Sequence, residues 1–160
     1  MIPMMKYVDV SIGNEEDAEK CLGVAAEGVD VTTGEIDAEA YRTVVQQLVD
    51  KFGFKKVAIT LRESESADDN NWSAIYFDGD EILMGNKYAV RIVDRVGGGD
   101  AFCAGMIYGL TQDGWSSRQV LDFAVASSAM AHTFHGDFNL VTAKEVMAVA
   151  GGDVTGRVQR

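Results

Sequence analysis

Cysteine is scarce in this sequence, since only Cys21 and Cys103 occur among 160 residues. They form no CxxC pair and show no metal-ligand spacing, which argues against a disulfide-stabilised secreted domain and against a structural zinc site. A free cysteine usually packs as a small hydrophobic residue. We therefore expect both to be buried structural thiols in a reducing compartment.

Long apolar runs are absent as well. No stretch reaches the roughly 18 residues that a membrane-spanning helix needs. The opening MIPMMKYVDV has too few apolar residues before Lys6 and Asp9 to serve as a signal peptide. We therefore expect a cytoplasmic protein with no membrane partner.

Basic residues are outnumbered by acidic ones, with 14 Lys and Arg against 25 Asp and Glu, so the formal net charge is −11. Phosphate backbones select basic surfaces, and this charge balance argues against a nucleic-acid partner. It does not exclude one phosphorylated small molecule, which needs only a local positive potential. Hydrophobic residues make up 47% and charged residues 24%, which is typical of one folded domain with its own core.

Hydrophobic periodicity predicts an α/β fold. Residues 7–13 alternate as a strand, and a short helix capped by Asn14 follows. Spacings of three and four predict a helix within residues 35–54, capped by Asp37, with Ile36 packed on Tyr41 and Gly53 at its end. A strand at 55–60 comes next, and this helix–strand succession implies a parallel sheet.

The second half of the sequence reads as a hairpin followed by helices. Residues 63–71 form a polar loop, and the DGD at 78–80 between two apolar runs indicates a hairpin. Residues 87–94 are a strand that enters a run of glycines, and a helix follows. Capping boxes at Ser116 with Gln119 and at Thr142 with Glu145 predict two further helices, and residues 151–160 are expected to be a flexible tail.

The segment DRVGGGDAF at 94–102 is the strongest candidate for chemistry. A strand, a glycine turn and a helix start place unpaired backbone N–H groups where they attract an anion, so Gly97, Gly98 and Gly99 could hold a phosphate. A carboxylate beside a phosphate weakens its binding, but Asp100 would suit a base that takes a proton from an attacking hydroxyl. The alternative is a tight turn with Asp100 as an N-cap.

Two other phosphate motifs fit poorly. No Gly-Lys-Ser/Thr follows the glycines, so the segment is not a P-loop. A dinucleotide fingerprint would end in a small residue where Phe102 stands, so an oxidoreductase is a distant alternative.

The segment DRVGGGDAFCAG resembles the signature of the ribokinase-like (PfkB) carbohydrate kinases, with Gly98 where alanine is usual. The resemblance covers essentially the whole chain and implies a three-layer α/β/α fold with a mainly parallel sheet. Residues 1–150 would correspond to the C-terminal, nucleotide-binding part of a family member.

The resemblance also implies roles for the segment. Asp100 would be the catalytic base beside the sugar, the amides of Gly97 to Asp100 the anion hole, and Asp94 would order the metal and phosphate region next to the substrate. The cofactors would be ATP and Mg²⁺.

Other positions match the family less tightly. Asn14 and Asp17 would act on the metal through water, although helix capping explains them equally well. Thr60, Arg62 and Glu63 would lie near ATP, where Arg62 replaces a usual glycine. Val125 and Ser128 fall on the helix that walls the nucleotide pocket, and core packing is the alternative for both.

TLRES, DRVGGGDAF and HTFHGDFN resemble the 2-keto-3-deoxygluconate kinase branch of the family. In that branch the counterpart of Asp137 reaches the substrate hydroxyls; the alternative is a turn residue. The implied reaction is ATP-dependent phosphorylation of a sugar acid to its 6-phosphate. A kinase for another sugar and a non-catalytic nucleotide-binding or assembly fragment remain open. His132 and His135 lack a third ligand, so we expect no metal there.

The family's first strands, lid sheet and most sugar-recognition residues have no counterpart in this sequence. The chain therefore resembles a C-terminal half of a kinase. A parallel sheet without its central neighbours would expose an apolar edge. We expect the chain on its own to self-associate through that edge, as a homo-oligomer or less regularly, and to bind sugar poorly.

Overall fold

A computed structural model describes residues 1–25 and 38–152. The chain divides into two compact units, Met1–Ala89 and Val90–Arg160. The expected Asp37 cap and the Ile36 contact with Tyr41 lie outside the described residues. The same holds for residues 153–160 of the expected flexible tail.

The first unit is built on a mixed β-sheet. Four of its five described strands follow the spatial order β1-β2-β3-β4, namely β1 (Val10–Asn14), β2 (Lys56–Ser64), β3 (Asp69–Phe77) and β4 (Ile82–Met84), and the fifth pairs with β3 outside this order. β1 and β2 are parallel, which confirms the expected crossover through a helix, whereas the β2–β3 and β3–β4 pairs are antiparallel. The sheet is therefore less parallel than expected, because the four-residue connections 65–68 and 78–81 are too short for a parallel crossover.

Helix α1 (Ala38–Phe52) covers one face of this sheet. Its apolar stripe and alternate residues of β2 belong to one buried cluster, which includes Val44, Val45, Leu48, Val57, Ile59 and Leu61. The helix ends at Phe52, just before Gly53, as the sequence predicts.

The start of the chain differs from expectation in its local structure. Residues Ile2–Tyr7 form a 3-10 helix, so β1 begins only at Val10. The short helix after β1 includes a π-helical turn, Asp17–Cys21.

The polar segment 63–71 is mostly strand rather than loop. β2 continues to Ser64 and β3 begins at Asp69. Polar side chains bridge the tight connection, where Ser66 Oγ donates to Asp69 Oδ2 at 2.9 Å and Asn71 Nδ2 donates to Glu65 Oε1 at 2.7 Å. Polarity here marks an exposed hairpin end, which the composition alone does not distinguish from a loop.

Within residues 90–152, the described part of the second unit, there are three helices, α2 (Gly98–Leu110), α3 (Ser117–Ala131) and α4 (Ala143–Ala150). Strand β5 (Tyr88–Arg91) runs across the boundary from the first unit into the second. The capping boxes predicted at Ser116 and Thr142 are both present. Most of α3 is buried, as its alanine-rich sequence indicates.

The expectation that both cysteines are buried is wrong. Cys21 is exposed and Cys103 is only partly buried, and both are free thiols. At the end of the π-helical turn it is the neighbouring Leu22 that faces the core, at 7% exposure. No helix among residues 1–25 and 38–152 is long and apolar enough to cross a membrane.

The α1–β2 contact gives a test of the first unit. Leu48 is 1% exposed, so Leu48→Ala should lower the free energy of unfolding by about 2–5 kcal/mol through lost burial and a residual cavity. Gln47→Ala, at an exposed neighbouring position of the same helix, should stay within about 0.5 kcal/mol of the wild type. Chemical denaturation followed by circular dichroism measures both, and equal losses would contradict the packing described here.

Candidate active site

A glycine turn leads into helix α2. Gly97 is the N-cap with a φ of 80°, in the left-handed region that side chains disfavour. A Cβ at this position would also lie 2.5 Å from the backbone oxygen of Asp137. Gly97 has no side chain that could cap the helix, and the first-turn N–H groups have no acceptor within the helix itself. Gly99 and Asp100 are exposed on this turn, which therefore presents backbone donors to solvent.

The middle glycine is buried against α3. A Cβ at Gly98 would overlap the ring of His132. The hydroxyl of Ser128 donates to the carbonyl oxygen of Gly98 at 2.7 Å, and Nδ1 of His132 lies 2.7 Å from the carbonyl oxygen of Ser128. Since a carbonyl can only accept, Nδ1 carries the proton in this hydrogen bond. Sequence reasoning missed this role of His132, because it depends on a contact between residues far apart in the chain.

Asp94 ties the glycine turn to the loop that follows α3. Its Oδ1 accepts from the N–H of Val96 at 3.1 Å, and its Oδ2 accepts from the N–H of Gly136 at 2.9 Å. These backbone hydrogen bonds, Val96 first, hold the pKa of the Asp94 carboxyl below its ordinary value, and the nearby His135 acts in the same direction. Asp94 therefore orders the turn that the resemblance assigns to phosphate binding.

Asp100 is the third residue of α2 and does not cap it. The N-cap is Gly97, so the alternative interpretation of Asp100 as an N-cap is wrong. Asp100 is an exposed acidic residue in the first turn of the helix. Asp137 is exposed as well, and its backbone packs against Gly97. Asp94, Asp137 and the glycine turn thus lie together, and their contacts with a substrate stay predictions.

A second group of candidates lies where β1 and β2 end. Asn14 is opposite Thr60 in the parallel register, and the Thr60 hydroxyl donates to the Gly13 carbonyl oxygen at 3.4 Å. The Asp17 N–H donates to Asn14 Oδ1 at 2.8 Å, while the Asn14 N–H donates to Asp17 Oδ2 at 3.1 Å. These reciprocal bonds confirm the capping interpretation, and the water-mediated metal contact stays a prediction.

Arg62 is exposed beside acidic residues of the turn after β1. Burial raises the pKa of the Glu15 carboxyl, while a hydrogen bond from its own backbone and the charge of Arg62 oppose that rise. Arg62 also helps to lower the pKa of Glu16, after the larger effect of Lys20. A phosphate at Arg62 would compete with these carboxylates.

Glu63 is paired with a lysine that sequence reasoning missed. Lys87 Nζ lies 2.9 Å from Oε1 and 2.7 Å from Oε2 of Glu63, and Asn71 Nδ2 donates to Oε2 at 3.2 Å. Glu63 is 9% exposed. The fold brings Glu63 and Lys87 together from positions 24 residues apart. No local sequence pattern indicates this pairing.

Val125 and Ser128 are both 0% exposed. Their burial agrees with core packing, and their contact with a nucleotide stays a prediction. Among residues 1–25 and 38–152, no three His, Cys, Asp or Glu side chains gather as metal ligands would. The candidates thus form two groups, one in each unit.

Comparison with known proteins identifies relatives along nearly the whole chain. The sequence pattern of the pfkB family carbohydrate kinases matches residues 3–143. A 2-dehydro-3-deoxygalactonokinase from Haloferax volcanii is 29% identical over 147 residues, which are 91% of this chain and 39% of that protein.

Solved structures agree with this similarity. The 2-dehydro-3-deoxygluconokinase from Thermotoga maritima is 43% identical with a TM-score of 0.85, over 95% of this chain and 44% of that one. A PfkB family carbohydrate kinase from Listeria grayi is 26% identical with a TM-score of 0.74, over 92% and 42%. The chain spans about two fifths of the length of these relatives.

The role of Asp94 predicts a pH-dependent stability. A carboxyl whose pKa is lower in the folded than in the unfolded chain stabilises the fold above its unfolded pKa, and this contribution is lost as the pH falls through the folded pKa. Asp94→Ala should therefore be less stable than the wild type at pH 7, and the difference should shrink below about pH 4. Denaturation between pH 7 and 3 measures this, with exposed Asp113→Ala as the control. A deficit independent of pH would contradict the assignment.

The two faces of the glycine turn predict opposite responses to a methyl group. Gly98→Ala should cost roughly 1–3 kcal/mol of unfolding free energy, because the methyl displaces the His132 ring. Gly99→Ala has nothing within 4 Å of its new Cβ. It should leave stability unchanged or raise it by up to about 1 kcal/mol, because alanine is the better helix former. Thermal unfolding measures the stability of the two variants. A Gly98→Ala variant as stable as the wild type would refute the close approach of the His132 ring to Gly98.

Proposed function

Because the chain belongs to the pfkB family of carbohydrate kinases, we propose that the protein transfers the terminal phosphoryl group of ATP to a sugar hydroxyl. The observation that carries this proposal is the glycine turn with exposed first-turn amides and the exposed carboxylate of Asp100 beside them. Backbone donors bind a phosphate, and an adjacent carboxylate weakens that binding through charge repulsion. A role as the base for the attacking hydroxyl would account for a carboxylate at this position.

The substrate proposed is 2-keto-3-deoxygluconate, phosphorylated to its 6-phosphate. Support comes from the branch resemblance and from the relatives in Thermotoga maritima and Haloferax volcanii, which are described as kinases of 2-dehydro-3-deoxy sugar acids. Asp137 would contact the substrate hydroxyls, and Asp94 would lie beside it. A kinase for another sugar is the alternative within the same class, and ATP turnover with a panel of sugars would separate the two.

In the proposed mechanism, Asp100 accepts the proton of the sugar hydroxyl as its oxygen attacks the terminal phosphorus, and the bond to ADP breaks. The amides of Gly97 to Asp100 stabilise the charge on the phosphoryl oxygens, which is electrostatic stabilisation by dipoles already in place. Neutral donors of this kind suit a protein whose formal net charge is −11.

The described residues fit both cofactors. The uncapped first turn of α2 suits a polyphosphate, and oxygen donors of the Asn14 and Asp17 type suit Mg²⁺ held through water. When bound, Mg²⁺ would spread the charge of the transferring phosphoryl group. Both donors already serve as helix caps, which agrees with an indirect contact through water.

Further nucleotide contacts are proposed from the family resemblance. Thr60, Arg62 and Glu63 would lie near ATP, with Lys87 adding a positive charge next to Glu63. Val125 and Ser128 would support the nucleotide pocket from within the core. A location in the cytoplasm agrees with the two free thiols, of which Cys21 is exposed.

Self-association through a sheet edge is also proposed. β1 lies at one end of the order β1-β2-β3-β4, and a cavity of about 250 Å³ is lined by apolar residues of β1 and its neighbours, including Val8, Val10, Ile12 and Leu22. An open edge beside apolar side chains is a site for pairing with a second copy.

A non-catalytic nucleotide-binding fragment is the second candidate function. It is favoured by the exposed first turn of α2, since backbone donors alone would hold a nucleotide phosphate without transferring it. Calorimetry that finds ATP binding without turnover in the presence of sugar acids would support this alternative.

Asp100→Asn is the test of the proposed base. Turnover of ATP with 2-keto-3-deoxygluconate should fall by about 10²–10⁴-fold, while affinity for ATP should hold or improve because a negative charge beside the phosphates is removed. Asp113→Asn makes the same change at an exposed position beyond the other end of α2 and should leave both quantities unchanged. A fully active Asp100→Asn variant would refute the proposed role.

A further inference from the structure

Ser128 is a buried hydroxyl with an unusual partner. It lies on α3 in a largely apolar stretch and is 0% exposed. A serine inside a helix usually donates to a carbonyl one turn earlier in the same helix. Here the hydroxyl donates to the carbonyl oxygen of Gly98, thirty residues away in sequence, at 2.7 Å. The bond therefore joins α3 to the first turn of α2.

The partner carbonyl belongs to the peptide group that carries the Gly99 N–H. A trans peptide is planar, with its C=O and N–H directed oppositely. Holding the Gly98 oxygen toward α3 keeps the Gly99 N–H directed away from α3. The space beside the Gly99 Cα is open, since a Cβ built there would meet nothing within 4 Å.

The first turn of α2 needs such support. Three successive glycines lose more conformational entropy on ordering than other residues do, and the N-cap Gly97 supplies no side chain. Ser128 is itself held in place, because His132 Nδ1 donates to its carbonyl oxygen at 2.7 Å and the His132 ring packs against Gly98. The backbone oxygen of His132 also accepts from the N–H of Val93 at 2.8 Å, just ahead of the turn.

We infer that Ser128 is a positioning residue, which holds the Gly98–Gly99 peptide with its N–H directed away from α3 through the hydrogen bond to the Gly98 carbonyl oxygen. The inference rests on the proposed function for its ligand, which is a nucleotide polyphosphate. The orientation of the peptide does not depend on that function. It also gives Ser128 a role different from direct contact with the nucleotide.

The test compares Ser128→Ala with Ser128→Cys and with Ser127→Ala. Cysteine keeps the size of serine but is a weaker donor. Ser127 is the neighbouring buried serine, at 8% exposure, and its backbone and side-chain oxygens accept from Asn139 instead. The Gly98 carbonyl ¹³C and Gly99 amide ¹⁵N resonances of the labelled chain report the peptide directly, and calorimetry measures the Kd for ATP with Mg²⁺.

We expect both resonances to move in Ser128→Ala, to move less in Ser128→Cys and to stay in place in Ser127→Ala. The Kd for ATP should rise roughly 3- to 10-fold in Ser128→Ala, the loss of one neutral hydrogen bond, and by less in Ser128→Cys. Resonances unmoved in Ser128→Ala, or moved equally in Ser127→Ala, would overturn the inference. Moved resonances with an unchanged Kd would overturn the positioning role.

The same experiment separates this inference from the proposed function. A wild-type chain that binds no ATP would count against the nucleotide site. The resonances would still decide whether Ser128 orients the peptide.

Discussion

The second unit depends on one constraint, which is that the start of α2 can contain no side chain on its inner sides. Gly97 meets the backbone of Asp137 and Gly98 meets the ring of His132, so a Cβ at either position collides with a neighbour. Close approach of the chain on these two sides leaves the third side, at Gly99, open. The result is a helix start at which Gly99 and Asp100 are exposed, while the Gly98 carbonyl oxygen accepts a hydrogen bond from the buried Ser128 hydroxyl. This asymmetry makes the turn suitable for an anion.

The sequence predicts the parts of this arrangement that are local. The apolar stripe of α1, the capping boxes at Ser116 and Thr142 and the glycine turn before Asp100 each occupy a few consecutive residues, and the structure has all of them. Helix periodicity and capping are properties of neighbouring residues, so a single sequence contains them. The family resemblance rests on the same short segments.

Contacts between distant residues were not predictable in the same way. Lys87 reaches Glu63 across 24 positions, and Ser128 reaches Gly98 across 30. Nothing in the residue types at these positions indicates the partner, because a buried serine and an exposed lysine each have many common explanations. The same limit applies to the two cysteines. The general preference of cysteine for burial does not reveal whether a given side chain faces the core or the solvent.

The charge of the chain gives a physical reason for backbone groups to hold the proposed phosphate. With a formal net charge of −11, a triphosphate approaching the protein is repelled at long range, although salt screens this repulsion beyond about 10 Å. Attraction must then come from donors within contact distance. The turn has such donors in the amides of α2. Asp94 is close by, but both of its carboxylate oxygens already accept backbone hydrogen bonds. Its charge is therefore partly offset by local dipoles, whereas Asp100, the proposed base, is exposed on the same turn.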